Sequence, residues 1–197
     1  MSFKVGKLTI FMGPMGSGKT EKLVNLANKE ASYGSKVLIV GSNSDTRSDS
    51  VLSTNGAYID TELRKCDKVK VNTLSQVDVK DNDWIFIDEA HMYPDLVSYV
   101  VKWLQTDNKN IVVAGIDGDI NKKPIGEILY LIPYATSGCV YKLDGRCSKC
   151  VQDGLDQQYC ASSYTILKTI DTRVGQFKIG GLDMYESVCL KHSIIKV

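Results

Sequence analysis

Neither sign of charge predominates in this chain: 24 Lys and Arg stand against 23 Asp and Glu in 197 residues, a formal net charge of +1. A protein that lives on phosphate backbones shows a basic excess or a basic stripe, so the balance argues against a nucleic-acid partner. No apolar run approaches the ~20 residues of a membrane span. The opening MSFKVGKLTIFMG sets a lysine inside its apolar run and carries no small-residue cleavage motif, unlike a signal peptide. A cytoplasmic chain with no membrane partner is the expectation. Its six cysteines are then expected to be thiols or metal ligands rather than disulfides. Internal repeats and low-complexity tracts are also missing.

What remains is an ordinary globular composition, 43% hydrophobic, long enough for one core-bearing domain with a small appendage. Strand-like runs alternate with helical patterns as far as residue ~132, the signature of a parallel α/β sheet. KLTIFMG (7–13), KVLIVGS (36–42), KVKVNTL (68–74), WIFID (84–88) and NIVVAGID (110–117) read as strands, KVLIVGS and NIVVAGID as continuous apolar ones. Leu23, Leu26, Ala27 and Ala31 share one helical face before a stop at Gly34, and Pro94 is placed to open a second helix carrying Val97, Val100, Val101 and Leu104. The polar, Ser-rich stretch 42–57 reads as a mobile loop. From residue 139 the texture changes to clustered cysteines, recurring glycines and short alternating runs such as SYTILKTI (163–170). The expected organisation is a P-loop nucleotide-binding domain over 1–138 and a small zinc-binding, β-rich unit over 139–197.

GPMGSGKT (13–20) fits G-x-x-x-x-G-K-[ST] in the required strand–loop–helix setting. Gly13, Pro14, Met15, Gly16, Ser17 and Gly18 would turn backbone N–H groups toward phosphates. Lys19 would reach the outer phosphates, and the Thr20 hydroxyl would bind Mg²⁺. Asp88, ending the apolar WIFI strand, suits the Mg²⁺ shell through a water. Glu89 beside it can activate a water, as in an ATPase, or take a proton from a substrate hydroxyl, as in a kinase. In the loop after the second strand, Asp45-Thr46-Arg47 could bring an arginine over the transferring phosphoryl group.

DEAH (88–91) is also a helicase motif. Such motors work ATP between two tandem α/β domains, whereas this chain has a single P-loop and about 130 residues of α/β texture. His91 has no role on this reading. Cys147 and Cys150 (C-x-x-C) with Cys189 and His192 (C-x-x-H) form a Cys₃His set for tetrahedral structural Zn²⁺. A redox C-x-x-C is the rival, but its usual βαβ setting is missing. Cys66, Cys139 and Cys160 fall outside the set.

Together with AGIDGDINKKPIG (114–126) and IGGLDMYESVC (179–189), these motifs in this order resemble the type II thymidine kinases, the P-loop and zinc-containing kind, over residues 7–192. The resemblance implies a RecA-like parallel sheet flanked by helices, with a zinc-binding lasso unit that closes over the nucleoside. It implies phosphorylation of the thymidine 5′-hydroxyl by ATP, with deoxyuridine as second substrate, in nucleotide salvage. Glu89 matches the catalytic base, with Lys19 and Arg47 as electrophilic clamps. Met15, Ile116 and Ile120 match the base pocket, Ile125 lies near it, Gln176, Phe177, Lys178, Ile179 and Gly180 match the closing segment, and Tyr185 matches the residue reaching the sugar. A homotetramer inhibited by its end product dTTP is likewise implied. This chain departs from the family at Gly16 and at Ile120 and Ile125, where aromatics are frequent, at Asn55, where His is frequent, and at His91, where Gln is.

Overall fold

The computed structural model describes residues 5–45, 51–52, 63, 65–155, 160–168 and 184–194. Five strands follow the apolar runs: β1 Leu8–Met12, β2 Val37–Ser42, β3 Asp67–Val71, β4 Trp84–Ile87 and β5 Asn110–Gly115. With β6, Val140–Lys142, they form one sheet in the order β3-β2-β4-β5-β1-β6. Every pairing in it is parallel. A parallel sheet is covered on both faces, and for that reason the inner strands β1, β2, β4 and β5 are apolar almost throughout, whereas the edge strand β3, DKVKV, alternates and the edge strand β6 is exposed.

The period of two still sorts the side chains. Leu8, Ile10 and Met12 of β1, with Ile111 and Val113 of β5, face helix α2 (Leu96–Gln105) and its Leu96, Val100, Trp103 and Leu104. Phe11, Val112 and Ala114 face helix α1 (Lys19–Ser32) and its Leu23, Val24, Ala27 and Ala31. Each such side chain contributes about 1.5–3 kcal/mol by leaving water. Gly34, at φ 88, follows the end of α1 as expected.

Pro94 does not open α2, which begins at Leu96 with Asp95 at its N-cap. The Asp95 carboxylate accepts instead from the N–H groups of Leu74 and Ser75, both at 3.0 Å, so a distant turn claims the cap. Pro94 and Asp95 form the turn ahead of the helix.

Past β6 the elements are small. Two two-stranded antiparallel sheets appear, β7 (Gly145–Arg146) with β8 (Ala161–Ser162), and β9 (Tyr164–Leu167) with β10 (Tyr185–Val188). Between β7 and β8 lies a one-turn helix, α3, Ser148–Gln152. Among the described residues no helix is long and apolar enough to cross a membrane.

All the chemistry-bearing segments follow strand ends. The P-loop leaves β1, Asp45 follows β2, Asp88 and Glu89 follow β4, and Ile116 follows β5. In open α/β sheets this carboxyl edge is where ligands bind.

Candidate active site

Helix α1 opens without a side-chain cap. Its N-cap is Gly18 at φ 78, a left-handed conformation that glycine adopts without strain. With no side-chain oxygen there, the first N–H groups of the helix are left to an external anion, and the helix field favours one. Lys19 is buried and donates from Nζ to Pro14 O at 2.6 Å, which folds the lysine along its own loop. Ser17 Oγ also donates to Pro14 O, at 2.9 Å.

Thr20 Oγ1 lies 3.0 and 3.2 Å from the two Asp88 carboxylate oxygens, joining α1 to the end of β4. Asp88 is 2% exposed. Burial, and then the charge of Glu89, push its carboxyl up to about 7, while Lys19 and Thr20 pull the other way. Two adjacent acids, one of them buried against a hydroxyl, form a donor set that a hard divalent cation suits. Mg²⁺ therefore fits Thr20 and Asp88 by their chemistry.

Glu89 has φ 48 and ψ 41. A non-glycine residue there costs of order 1–3 kcal/mol, a strain that clusters at functional sites. The turn carries the chain into a short helix, Ala90–Met92, and brings His91 beside Glu89. Nδ1 of His91 stands 3.6 Å from Glu89 Oε2 and accepts from the Ile116 N–H at 3.3 Å.

A separate apolar cluster gathers Met15, Ile116 and Tyr185, with Ile120, Ile125, Leu167 and Met184 packed against it. Of the apolar residues expected near the nucleoside, Met15, Ile116, Ile120, Ile125 and Tyr185 meet here. Leu167 and Met184 were not anticipated, although Leu167 shares a strand face with Thr165 by the period of two. Asp45 is buried, and Lys70 Nζ donates to its carbonyl at 3.3 Å. Thr46, Arg47 and the segment from Gln176 through Phe177, Lys178 and Ile179 to Gly180 lie outside the described residues.

The β9–β10 hairpin grips the P-loop. Met15 N–H donates to Thr165 Oγ1 at 3.1 Å, and Ser187 Oγ donates to Met15 O. Next to Ser187, Glu186 accepts from Ser148 Oγ at 2.6 Å and pairs with Lys149 Nζ at 3.0 Å. Burial works against its charge, but Ser148, Lys149 and Lys168 outweigh that and hold the carboxyl below its ordinary range. The hairpin is thereby tied to α3 and the first cysteine pair.

The four expected metal ligands do converge: Cys147, Cys150, Cys189 and His192 place one donor atom each within 4.8 Å of one another. His192 Nδ1 is 3.4 Å from Cys147 Sγ, 3.5 Å from Cys150 Sγ and 3.5 Å from Cys189 Sγ. Cys150 and Cys189 sulfurs are 3.9 Å apart. A tetrahedron with Zn–S ~2.3 Å and Zn–N ~2.0 Å has edges of ~3.6 and ~3.8 Å, so the donors fit zinc. His192 Nε2 faces Asp153 Oδ2 at 3.5 Å, the outer-shell carboxylate that commonly orients a ligating histidine.

Burial works against the Cys147 thiolate, yet the backbone N–H groups of Cys150 and Cys189 and the His192 ring outweigh it and bring that thiol to about 6. The Cys160 thiol, followed by burial, pushes Cys150 upward. Cys160 packs on this cluster without being one of the four. All six cysteines are free of disulfides.

A phosphate loop and strand-ending acids on a parallel sheet, with a Cys₃His cluster in the small unit beyond it, define a P-loop enzyme whose cysteine cluster is compatible with a metal. The thymidine kinase family model matches residues 6–193. The chain is 34% identical over 196 residues to Thymidine kinase a of Arabidopsis thaliana, covering 96% of this chain and 75% of that protein. It is 35% identical over 195 residues to a thymidine kinase of Oryza sativa subsp. japonica, covering 95% and 66%. Against the thymidine kinase of Variola virus it is 30% identical over 189 residues, covering 94% and 96%. The chain belongs to the thymidine kinase family.

Proposed function

We propose that this chain transfers the γ-phosphoryl group of ATP to the 5′-hydroxyl of thymidine, and of deoxyuridine as a second substrate, giving dTMP or dUMP and ADP. The observation that carries the reading is the double membership of Met15. It belongs to the P-loop and also to the apolar cluster with Ile116 and Tyr185, so the phosphate cradle and the apolar residues proposed to receive the base share a side chain.

In this reading the backbone N–H groups of 13–20 and the start of α1 hold the ATP phosphates. Lys19 leaves Pro14 O for the outer phosphate. Thr20 and Asp88 would hold Mg²⁺, Asp88 through a water, and the ion would supply charge neutralisation between the β- and γ-phosphates. Glu89 takes the proton of the 5′-hydroxyl as its oxygen bonds to the γ-phosphorus and the bond to the β-bridging oxygen breaks. Lys19 and Arg47 stabilise the charge spread over the equatorial oxygens. Met15, Ile116, Ile120 and Ile125 wall the base, Tyr185 reaches the sugar, and Gln176, Phe177, Lys178, Ile179 and Gly180 close over it. Enclosure keeps water from competing for the phosphoryl group. Cys147, Cys150, Cys189 and His192 would hold zinc with no position left open, and the metal would supply folding free energy to the small unit that follows β6.

The proposal includes inhibition by the end product of the pathway, dTTP, which joins a thymine to a triphosphate. A homotetramer in the cytoplasm completes the proposal. Tyr130, Ile132, Tyr134 and Tyr141 are exposed apolar surface that association of copies would cover.

The deciding experiment is transfer of labelled γ-phosphate to thymidine, deoxyuridine, deoxycytidine and no acceptor. Labelled dTMP and dUMP alone are expected. Free phosphate in every tube, with no labelled nucleotide, would overturn the kinase reading in favour of an ATPase.

A further inference from the structure

The loop 116–126 carries Ile116, Ile120 and Ile125 into the apolar cluster, and both of its ends rest on His91. At one end, the Ile116 N–H donates to His91 Nδ1 at 3.3 Å. At the other, Gly126 lies so close that a Cβ built there would stand 2.3 Å from the His91 carbonyl oxygen and 2.8 Å from its Cα. Gly115, just before the loop, packs likewise, its hypothetical Cβ being 3.2 Å from the N atoms of Ala90 and His91.

Between its ends the loop is stapled to itself. Asp119 Oδ1 accepts from the N–H groups of Asn121 and Lys123, both at 2.8 Å. The Asp119 N–H donates to Lys123 O at 2.8 Å, and Gly118 bridges to Pro124. These bonds brace the loop internally. His91, against which both of its ends rest, is two residues from Glu89 and lies in the same turn.

We propose that His91 is a positioning residue, coupling the nucleoside-pocket loop to the base Glu89, so that the 5′-hydroxyl arrives in register with the carboxylate that deprotonates it. Accepting from Ile116 requires a lone pair on Nδ1, which fixes the imidazole with its proton on Nε2. His91, its side chain 1% exposed, thus does what a buried apolar residue of equal volume would not. It holds Ile116, and through it the whole loop, at a set distance from the Glu89 turn. The proposal rests on the kinase reading above.

The test compares His91→Leu, which keeps the bulk and removes the acceptor, with His91→Asn, whose Oδ1 can take the place of Nδ1. Kinetics are measured against both substrates, with hydrogen–deuterium exchange of the 116–126 peptide as a readout independent of turnover. His91→Leu is expected to raise the KM for thymidine about tenfold, lower kcat, and leave the KM for ATP near wild type, with faster exchange across 116–126. His91→Asn is expected to restore most of both. Gly126→Ala disturbs the same joint from the far end, setting a Cβ against the His91 backbone at a left-handed φ of 58. It should show the same split between substrates, and it serves if the leucine variant does not fold.

A thymidine KM within about twofold of wild type in His91→Leu, equal rises for both substrates, or failure of Asn to restore would overturn the coupling. Wild-type protein that phosphorylates no nucleoside would overturn the kinase reading instead. The exchange comparison would still decide whether His91 holds the loop.

Discussion

Thr165 and Ser187 face each other across the β9–β10 ladder and hold Met15 of the P-loop between them, one by its N–H and the other by its C=O. The contacts span 150 and 172 residues of sequence and are buried. A hairpin of the unit that carries the Cys₃His cluster thereby sets the backbone of the phosphate loop at the residue that also joins the apolar cluster with Ile116 and Tyr185.

Removing this grip should weaken both substrates together. In Thr165→Val with Ser187→Ala, the Met15 N–H and C=O lose their partners, at a cost of about 1–3 kcal/mol for each buried group left unsatisfied. The KM for ATP and the KM for thymidine are both expected to rise about tenfold or more, in contrast to the thymidine-selective effect of the His91 variants. Steady-state kinetics at varied concentrations of each substrate separates the two patterns. A rise confined to thymidine would mean that the hairpin shapes the pocket and not the P-loop.

The strained turn at Glu89 and the Thr20–Asp88 contact lead to a second expectation. Glu89→Gln keeps the size of the side chain and its contact with His91, but it cannot accept the substrate proton. Turnover should fall by roughly 10² or more with ATP binding nearly intact, as loss of a general base requires. Binding measured by fluorescent-nucleotide titration, set against single-turnover transfer, checks both halves. Turnover near wild type would remove Glu89 from the role of base.

Much of this arrangement is legible in the chain because it is local. GPMGSGKT and the two cysteine-bearing pairs are short motifs whose spacing carries their chemistry. The inner strands β1, β2, β4 and β5 announce themselves because a two-sided sheet demands nearly unbroken apolar runs. What the sequence hides is long-range. Nothing near Thr165 or Ser187 in the chain says that each will find Met15. His91 reads as a bystander until the fold brings Ile116 and Gly126 against it. Pro94 suggested a helix start, and tertiary structure overrode it by drawing Asp95 to Leu74 and Ser75. The three-residue β6 is too short and too exposed to declare membership in the main sheet.

The Cys₃His cluster should bind one zinc per chain, measurable by elemental analysis. Chelation should loosen the β9–β10 hairpin and, through Met15, reduce affinity for ATP as well as thymidine, because a structural metal supplies folding free energy to the unit it joins. Asp153→Asn keeps all four ligands but removes the carboxylate facing His192 Nε2. Zinc affinity should drop by about tenfold or more, read by competition with a chromogenic chelator. An unchanged affinity would show that Asp153 is a surface neighbour with no hold on the ligand.

Ile120 offers the last test, because an aromatic side chain at its position would add ring surface to the site. It is half-buried against Met15, Ile116 and Tyr185, where an aliphatic side chain gives a base bulk but no π-face. Ile120→Phe should supply one, and ring–ring contacts contribute about 0.5–1.5 kcal/mol beyond area burial. A lower KM for thymidine by roughly two- to tenfold is expected, with kcat little changed and the KM for ATP unaffected. The loop that carries Ile120 is braced by Asp119, so the larger ring has to be taken up by the pocket itself. A raised KM with an unchanged melting temperature would mean that the space is already filled by the bound base, and that isoleucine is the larger residue the site can hold.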